Sequence, residues 1–337
     1  MKERFAIQTQ RNIAYSLEER RGKFSLDVLP GLLNRLFKEF HSTEFLASDP
    51  LEFVHRYRDP WEQEAIALFA ATLAYGNVKQ IKKSVQDFLD RIERLRLSPK
   101  TFVESLATSR GIENGKTSLK TFVHRFNRGP DLLVLAKLLQ MSWQAHGSLG
   151  AHFLKYHDAH ASDTSRALNG LMRDWKSWLL DFKQFKIPVK KSFYYLLTAP
   201  ENGSCCKRWC MFLRWMGRRD QLDPGLWTKA SLLAHSFPDG KFLRADQLVI
   251  PLDTHTGRIS QYLGLTERKS LNWKAACEVT ENLKRCDAED PTRYDFSLAR
   301  LGILDLCQKK YRAEICESCQ LLTACRFAGA NYSKGNL

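Results

Sequence analysis

The stretch CQKKYRAEICESCQLLTAC, residues 307–325, contains four cysteines in the spacing C-x8-C-x2-C-x5-C. They are Cys307, Cys316, Cys319 and Cys325. Four thiolates so close in sequence are soft ligands that suit either Zn²⁺ or an iron–sulfur cluster. A Cys₄ zinc ribbon typically has two close C-x2-C pairs, whereas this stretch has one close pair and two ligands at unequal distances. The spacing therefore favours a [4Fe–4S] cluster, and zinc is the alternative.

Disulfides are a third use of clustered cysteines, and the rest of the chain argues against them. The first residues, MKERFAIQTQRNIAYSLEERRGKF, are charged and lack the apolar core of a signal peptide. No apolar run approaches the length that spans a membrane. We therefore expect a cytoplasmic protein, in which clustered cysteines bind metal more often than they form disulfides. Residues 1–25 are expected to form a polar N-terminal extension.

The chain is strongly basic, with 52 Lys and Arg against 37 Asp and Glu, a formal net charge of +15. A surplus of this size is the electrostatic footprint of a protein that binds a polyanion. Nucleic acid is therefore the expected partner, although charge alone does not separate DNA from RNA. We expect no membrane partner and a monomeric protein.

Helical periodicity dominates the sequence, because apolar residues recur at three- and four-residue steps and Gly and Pro are sparse. The pattern predicts an all-α protein with two lobes. A six-helix lobe is expected over residues 60–225, beginning with the helix PWEQEAIALFAATLAYG at 60–76. Residues 226–247 are expected to be a connector. A second lobe, holding the cysteines, is expected to combine residues 26–59 with 248–330.

Residues 190–219 predict a short helix, a glycine-containing turn at Gly203 and a second helix, CCKRWCMFLRWMGRR, capped by Ser204. A helical wheel places one set of side chains on a cationic face, Lys207, Met211, Arg214 and Arg218. This layout is typical of a helix–hairpin–helix, whose turn amides and second helix N-terminus bind one DNA phosphate. The alternative is an ordinary helical corner with a solvated basic face.

Residues 248–265, LVIPLDTHTGRISQYLGL, predict a buried extended segment followed by a helix that Asp253 or Thr254 caps and Gly264 ends. A further helix is expected from Trp273 to Lys284. The last long helix, TRYDFSLARLGILDLC, leads directly into Cys307.

At this point the chain resembles endonuclease III and its relatives, the helix–hairpin–helix base-excision glycosylases. PLDTHTGRISQYLGL is similar to the run V-D-T-H-x-x-R-x-x-x-R-L-G-L of that family. The family holds a [4Fe–4S] cluster in C-x6-C-x2-C-x5-C, and the first interval here is two residues longer. The whole chain, over about residues 40–326, also resembles an uncharacterised bacterial family distantly related to those glycosylases. That resemblance rests on DPWEQEA, AYG, KRWCMFLRWM and PLDTH in this order.

The resemblance implies two catalytic residues. The family's aspartate falls on Asp253, at a helix start facing a cleft between two lobes, where it would stabilise oxocarbenium character at the sugar. A plain N-cap is the alternative. The family's lysine nucleophile falls on Lys207, four residues after Gly203, and would form a Schiff base. The hairpin pattern L-P-G-x-G is absent and the lysine–aspartate interval is longer than usual, so phosphate contact is the competing role for Lys207.

The resemblance also implies contacts with a flipped nucleotide and its duplex. AYG at 74–76 corresponds to the turn that wedges a side chain into DNA, so Tyr75 or Asn77 is a candidate wedge, against a simple cap at Gly76. The remaining predicted DNA contacts are Gly203, Ser204, Arg208, Arg214, Arg218 and Arg258. The sequence thus predicts a glycosylase, with or without lyase activity. The alternative is a non-catalytic nucleic-acid-binding or redox-sensing iron–sulfur protein. His255 is expected to be a structural hydrogen-bonding residue, and the other five cysteines are expected to be buried thiols.

Overall fold

The computed structural model describes residues 26–332, whose regular secondary structure is helical apart from one short β-hairpin and an isolated bridge between Arg219 and Pro224. The predicted all-α class is confirmed, and the predicted extension at 1–25 lies outside the described residues. In chain order the elements are α1 (Leu29–Phe40), α2 (Pro60–Thr72), α3 (Val78–Glu93), α4 (Pro99–Ser105), α5 (Ser109–Leu119), β1 (Val123–His124), β2 (Asn127–Arg128), α6 (Gly129–His146), α7 (Leu149–Leu154), α8 (Ser165–Trp178), α9 (Lys191–Tyr194), α10 (Lys207–Gly217), α11 (Thr254–Tyr262), α12 (Trp273–Lys284), α13 (Asp295–Ile303), α14 (Ala313–Cys316) and α15 (Arg326–Tyr332). Short 3₁₀ turns join many of them.

The chain folds into two units, one of residues 42–251 and one that joins residues 26–41 to 252–332. The sequence predicted such a discontinuous second lobe, but with different boundaries. Residues 42–59 lie in the larger unit because the 3₁₀ segment Pro50–Arg56 packs on α2 through Leu51 and Phe53. Residues 226–247 are part of the same unit rather than a connector, because Trp227 is buried and hydrogen-bonded within it.

Helix α2 is the central helix of the larger unit, and residues 65–71 along it are completely buried. It starts where predicted, at Pro60, because the Asp59 carboxylate accepts hydrogen bonds from the amides of Trp61 and Glu62 at 2.8 and 3.2 Å. The helix ends at Thr72, four residues before the predicted end, and the chain then turns through Gly76 with φ +99°. A helix buried on all sides must satisfy its polar groups within the protein.

Glu64 shows how this requirement is met. Its carboxylate is fully buried and accepts four hydrogen bonds, from the indoles of Trp143 and Trp227 at 2.7 and 2.8 Å and from the amides of Leu149 and Gly150 at 2.9 and 3.0 Å. Burial raises the pKa of this carboxyl group, while the four donors favour its charged form. Glu64 therefore joins α2 to the N-terminus of α7 and to residue 227.

The smaller unit is built around α1, α11, α12 and α13. Tyr294 donates a hydrogen bond to Asn34 Oδ1 at 3.0 Å, and the Arg293 guanidinium lies 4.3 Å from the Phe37 ring centroid, so α1 is joined to the turn before α13. Helices α11 and α12 have the bounds that the sequence predicted, because Asp253 and Asn272 each cap their helix with a side-chain oxygen. Helix α11 packs against α13.

Candidate functional site

The four cysteines of the terminal stretch lie on three short elements of the smaller unit. Cys307 follows α13, Cys316 ends α14, Cys319 lies one turn later and Cys325 immediately precedes α15. The Cys319 amide donates to the Cys316 carbonyl group at 3.2 Å, and the Ala328 amide donates to Cys325 Sγ at 3.4 Å. The last thiol thus occupies the N-terminus of α15, where the helix dipole favours a thiolate.

The four thiols are close enough for their charges to interact. Burial, and to a smaller extent the other three thiolates, raises the pKa of Cys319 to about 12. Burial likewise raises the pKa of Cys307 and Cys325, and Cys316 adds to the increase at both. Thiolates placed at these positions would repel one another, so they would require a bound cation to exist together. These are the described side chains that could hold a metal cofactor.

The described residues were also compared with the arrangement that one metal ion requires. Within residues 26–332, no group of three or more His, Cys, Asp or Glu side chains is gathered as one ion requires.

Helix α11 contacts both ends of the cysteine loop, through Arg258 and Tyr262. Arg258 donates from Nη2 to the Cys307 carbonyl oxygen at 2.8 Å. The Tyr262 ring stacks on Phe327 of α15, with centroids 4.4 Å apart and planes at 12°. Burial raises the pKa of Tyr262, and the thiolates of Cys307, Cys325 and Cys316 raise it further. Arg258, predicted from the resemblance to contact DNA, thus contacts the cysteine loop.

Asp253 caps α11, as predicted, with one carboxylate oxygen. Asp253 Oδ1 accepts hydrogen bonds from the amides of His255 and Thr256 at 2.8 and 2.9 Å. Among the described residues Oδ2 has no hydrogen-bond donor, and the side chain is partly exposed. Asp253 can therefore cap the helix with Oδ1 while Oδ2 contacts another group.

A cavity of about 390 Å³ opens beside this helix. It is lined by His255, Arg258, Asp305, Cys307, Gln308, Lys309 and Arg312. The His255 ring lies directly against Gly302 of α13, and its Nδ1 atom has no hydrogen-bond partner among the described residues. The predicted hydrogen-bonding role for His255 is thus not what the described contacts show, and the ring serves in packing.

The two helices expected on either side of Gly203 are shorter than predicted. The first helix, α9, has four residues, and the second, α10, begins at Lys207 rather than after Ser204. Gly203 has φ +74°, and a Cβ atom placed on it would have no atom within 4 Å, so it forms an open left-handed turn. Ser204 accepts a hydrogen bond from the Cys206 amide at 3.1 Å instead of capping the helix. Cys206 precedes α10 with φ +50° and leaves the helix without a side-chain cap.

Two cations at the start of α10 bind the carbonyl groups that follow the last turn of α2. Lys207 Nζ donates to the Ala74 carbonyl oxygen at 3.2 Å. Arg208 is buried and donates from Nη1 to the Thr72 carbonyl oxygen at 3.0 Å and from Nη2 to that of Tyr195. Cations are favourable at a helix C-terminus. Lys207 and Arg208 therefore have a structural role whatever else they do.

The prediction that Arg214 and Arg218 lie on an exposed cationic face is wrong. Both are buried, with 3% and 4% of their surface exposed, and both form ion pairs with the carboxylate of Asp223, which is completely buried. Arg218 also pairs with Asp220 at 2.8 Å. A helical wheel cannot show this because the acidic partners lie in the following loop. These arginines stabilise the turn after α10 and are removed from the DNA-binding set.

The two candidate wedge residues have different surroundings. The Tyr75 hydroxyl donates to Asn127 Oδ1 at 2.5 Å and to the His124 carbonyl oxygen at 3.1 Å, so the ring is held against the β-hairpin. Asn77 is exposed and caps α3 by accepting a hydrogen bond from the Lys79 amide at 2.9 Å. Tyr75 thus belongs to a rigid aromatic cluster, a feature that its spacing in the sequence does not reveal.

The other cysteines are of two kinds. Cys206 and Cys210 are buried, as predicted, and burial raises the pKa of Cys206 to about 12. Cys205, Cys277 and Cys286 are partly exposed. Within the described part of the chain, no helix is both long and apolar enough to cross a membrane.

These features define an all-α protein whose smaller unit ends in a loop that carries four cysteines. The model of the DUF2400 family, described as a protein of unknown function, matches residues 49–304, and the chain therefore belongs to this family. The matched segment includes Lys207 and Asp253, and the four cysteines follow it. Searches of curated proteins and of solved structures gave no significant match.

Proposed function

We propose that this protein is a DNA-binding base-excision repair enzyme, an N-glycosylase that acts on a flipped damaged base. One observation carries the proposal: the helix that Asp253 caps also binds the cysteine loop, through Arg258 and the Cys307 carbonyl group. In the endonuclease III-like enzymes that the chain resembles, a catalytic aspartate and an iron–sulfur loop follow one another in the same order. The net charge of +15 suits a duplex DNA partner.

The four cysteines fit a [4Fe–4S] cluster better than a zinc ion. The stretch has one close C-x2-C pair and two ligands at unequal intervals, whereas a zinc ribbon has two close pairs. A cluster of four irons is larger than one ion and holds its ligands farther apart. When bound it would supply positive charge to four thiolates and fix the loop between α13 and α15. The chain's own contribution is to orient that loop through Arg258 and Tyr262.

Asp253 is the proposed catalytic carboxylate. Its Oδ1 atom is held by two helix amides, so the carboxylate is fixed in orientation, while Oδ2 has no donor among the described residues. A carboxylate in this state can stabilise the positive charge that develops on the sugar as the base leaves with the bonding electrons of the N-glycosidic bond. The same group can accept a proton from an attacking water or amine.

Lys207 is the proposed nucleophile of an associated lyase activity. Its amine would attack the sugar C1′ atom and form a Schiff base after the base has left. The uncapped N-terminus of α10 supports a nearby phosphate site, because its first amides have no side-chain acceptor and its first turn has no acidic residue. A lyase role requires the Lys207 amine to leave the Ala74 carbonyl group.

A panel of duplexes with different damaged bases tests the proposal. Asp253→Asn is the sharpest variant, because asparagine caps a helix as well as aspartate but carries no charge. We expect it to lose base release by a factor of at least about 100 while keeping duplex affinity and thermal stability. Asp253→Ala removes the helix cap as well as the charge, so any loss of thermal stability seen only in this variant measures the capping role of Asp253. Release that persists in Asp253→Asn would remove this residue from the mechanism.

Borohydride trapping on abasic DNA tests Lys207 separately. Lys207→Ala should abolish the trapped complex, whereas Lys229→Ala, which removes an exposed lysine, should not. Trapping that survives Lys207→Ala would exclude this lysine as the sole nucleophile.

A non-catalytic nucleic-acid-binding protein is the second candidate, favoured by the hydrogen bond that already engages the Lys207 amine. It predicts that damaged and undamaged duplexes bind alike and that no base is released from any member of the panel.

A further inference from the structure

We propose that Phe126 and Tyr195 form a binding site for one unpaired base of a DNA strand, with surrounding cations holding the adjoining phosphates. The two rings are called the hairpin platform. The choice of DNA rests on the proposed function. The site uses neither Asp253 nor Lys207 nor the cysteine loop, so it can be tested apart from catalysis.

The platform consists of two aromatic rings that each remain a little less than half exposed. Phe126, in the turn between β1 and β2, is 46% exposed, and Tyr195, just after α9, is 42% exposed. Their centroids are 4.5 Å apart and their planes are at 80°, an edge-to-face contact. Apolar side chains in a solvent-facing cluster without a cover are typical of a binding surface. Such rings offer stacking area to a planar ligand.

The two platform rings are held in place by contacts with Tyr75 and Arg208. The Tyr75 ring lies 5.2 Å from both platform rings, and its hydroxyl is hydrogen-bonded to the hairpin. The Arg208 guanidinium lies 4.1 Å from the Tyr195 ring centroid and 5.2 Å from that of Tyr75. Ordering the rings beforehand lowers the entropic cost of binding.

A buried hydrogen-bond network fixes the hairpin to the segment that carries Tyr195. Asn127 Nδ2 donates to the Ser192 carbonyl oxygen and to Asp131 Oδ2, both at 3.0 Å. The Ser192 hydroxyl donates to the same Asp131 carboxylate at 2.9 Å. This network keeps the two rings in contact although they are far apart in the sequence.

Exposed basic residues flank both platform residues along the chain. The hairpin segment 120–130 and the segment 186–195 together contain six basic and no acidic residues, and all six are exposed: Lys120, Arg125, Arg128, Lys186, Lys190 and Lys191. Within residues 26–332, none of the six forms an ion pair with a carboxylate. Arg208 is buried, and none of its described contacts is with a carboxylate. Both segments that carry a platform ring thus also carry exposed cations.

A nucleotide combines the two chemistries that this surface presents, a flat aromatic ring and an anionic phosphate. Stacking of bases on aromatic side chains and tracking of the backbone by basic residues is how proteins bind single-stranded nucleic acid. A paired base is already stacked within its duplex, so the occupant is an unpaired base in a single strand, a bulge or an extruded position.

Fluorescence anisotropy with the full chain tests the platform on four labelled probes. They are a single-stranded DNA oligonucleotide, the blunt duplex, the same duplex with one bulged thymine, and RNA of the single-strand sequence. Phe126→Ala and Tyr195→Ala should each weaken binding to the single strand and the bulged duplex by at least about fivefold, with little change for the blunt duplex. Phe126→Trp, which retains a ring, should restore binding.

Tyr194→Ala is the matched control. Tyr194 is the neighbouring tyrosine and is 50% exposed, but its ring contacts Phe193 rather than the platform. It should leave all four affinities within about twofold of the wild type, and circular dichroism should show that all variants remain folded.

Several results would overturn the proposal. The ring variants could keep the wild-type affinity for the single strand, or they could lose affinity equally for all four probes. Tyr194→Ala could lose as much affinity as Phe126→Ala, or the wild type could bind RNA more tightly than DNA. A wild-type dimer that Phe126→Ala dissociates in sedimentation would assign the surface to self-association instead. Failure of base release with intact platform effects contradicts only the proposed glycosylase, whereas intact base release without platform effects contradicts only this inference.

Discussion

The Arg258 Nη2 atom donates a hydrogen bond to the carbonyl oxygen of Cys307 at 2.8 Å, which joins the helix capped by Asp253 to the start of the four-cysteine loop. The contact is from a charged side chain to a main-chain oxygen, so it fixes the position of the loop without depending on the state of the thiols. Arg258 also lies close enough to the Cys307 thiol for its charge to favour the thiolate, although burial dominates and the pKa of Cys307 is raised.

Replacing Arg258 should loosen the cysteine loop. In Arg258→Met, which keeps the aliphatic stem but removes the donor, we expect a stability lower by about 1–3 kcal/mol and, for the proposed [4Fe–4S] cluster, faster loss of iron and sulfide to a chelator. Iron and acid-labile sulfide per chain, measured against time, check this. Arg268→Met is the control, because Arg268 pairs with Glu278 on the surface. Equal rates of loss in the two variants would contradict the role given to Arg258.

The packing of α11 on α13 depends on the absence of a side chain at residue 302. A Cβ atom at Gly302 would lie 2.5 Å from Nδ1 of the His255 ring, so the helices would have to separate. We expect Gly302→Ala to lower the free energy of unfolding by about 1–3 kcal/mol, measured by urea denaturation. Gly31→Ala is the control, because no atom lies within 4 Å of the Cβ position there and alanine favours a helix. A Gly302→Ala protein as stable as the wild type would show that the helices adjust freely.

Glu64 should be among the most sensitive positions of the larger unit. Glu64→Gln replaces one acceptor oxygen with an amide that faces N–H donors, so two of its four hydrogen bonds are lost. We expect a loss of about 3 kcal/mol or more, and a lower thermal midpoint by calorimetry. Glu113→Gln, at an exposed carboxylate, should cost less than about 1 kcal/mol. A small effect at Glu64 would mean that water replaces the missing bonds.

His152 should make the protein less stable in mild acid. Burial lowers the pKa of His152 to about 4 from its ordinary value of 6.5, and the hydrogen bond to Asp174 at 3.0 Å only partly opposes this. Because the unfolded chain takes up the proton more readily, the contribution is fully present above about pH 6.5 and is lost as the pH falls towards 4.

Unfolding free energies measured between pH 7 and 5 check this expectation. The fall with decreasing pH should be shallower in His152→Gln than in the wild type, whereas His160→Gln, at an exposed site, should follow the wild-type curve. Parallel curves for all three proteins would show that His152 does not contribute.

Features set by near neighbours in the chain could be predicted from the sequence. Helices α11 and α12 have their predicted bounds because Asp253 and Asn272 cap them within three residues. The four thiols could be grouped from their spacing, since one loop carries all of them. The role proposed for the cysteines is a prediction from their spacing, and those proposed for Asp253 and Lys207 are predictions from the resemblance.

Features set by distant residues emerge only in the folded chain. A helical wheel predicts that Arg214 and Arg218 lie on a solvated face. In the folded chain both are buried and paired with Asp223. The wheel misses this because it contains no information about the loop that follows the helix. Phe126 and Tyr195 meet through the network of Asn127, Asp131 and Ser192, whose members lie in separate elements. The order of amino acids alone specifies the helical class, the helix starts and the grouping of the thiols, because these depend on short-range geometry. Which charges are buried and which aromatic rings stay exposed depends on long-range packing, since burial is a property of everything that surrounds a side chain.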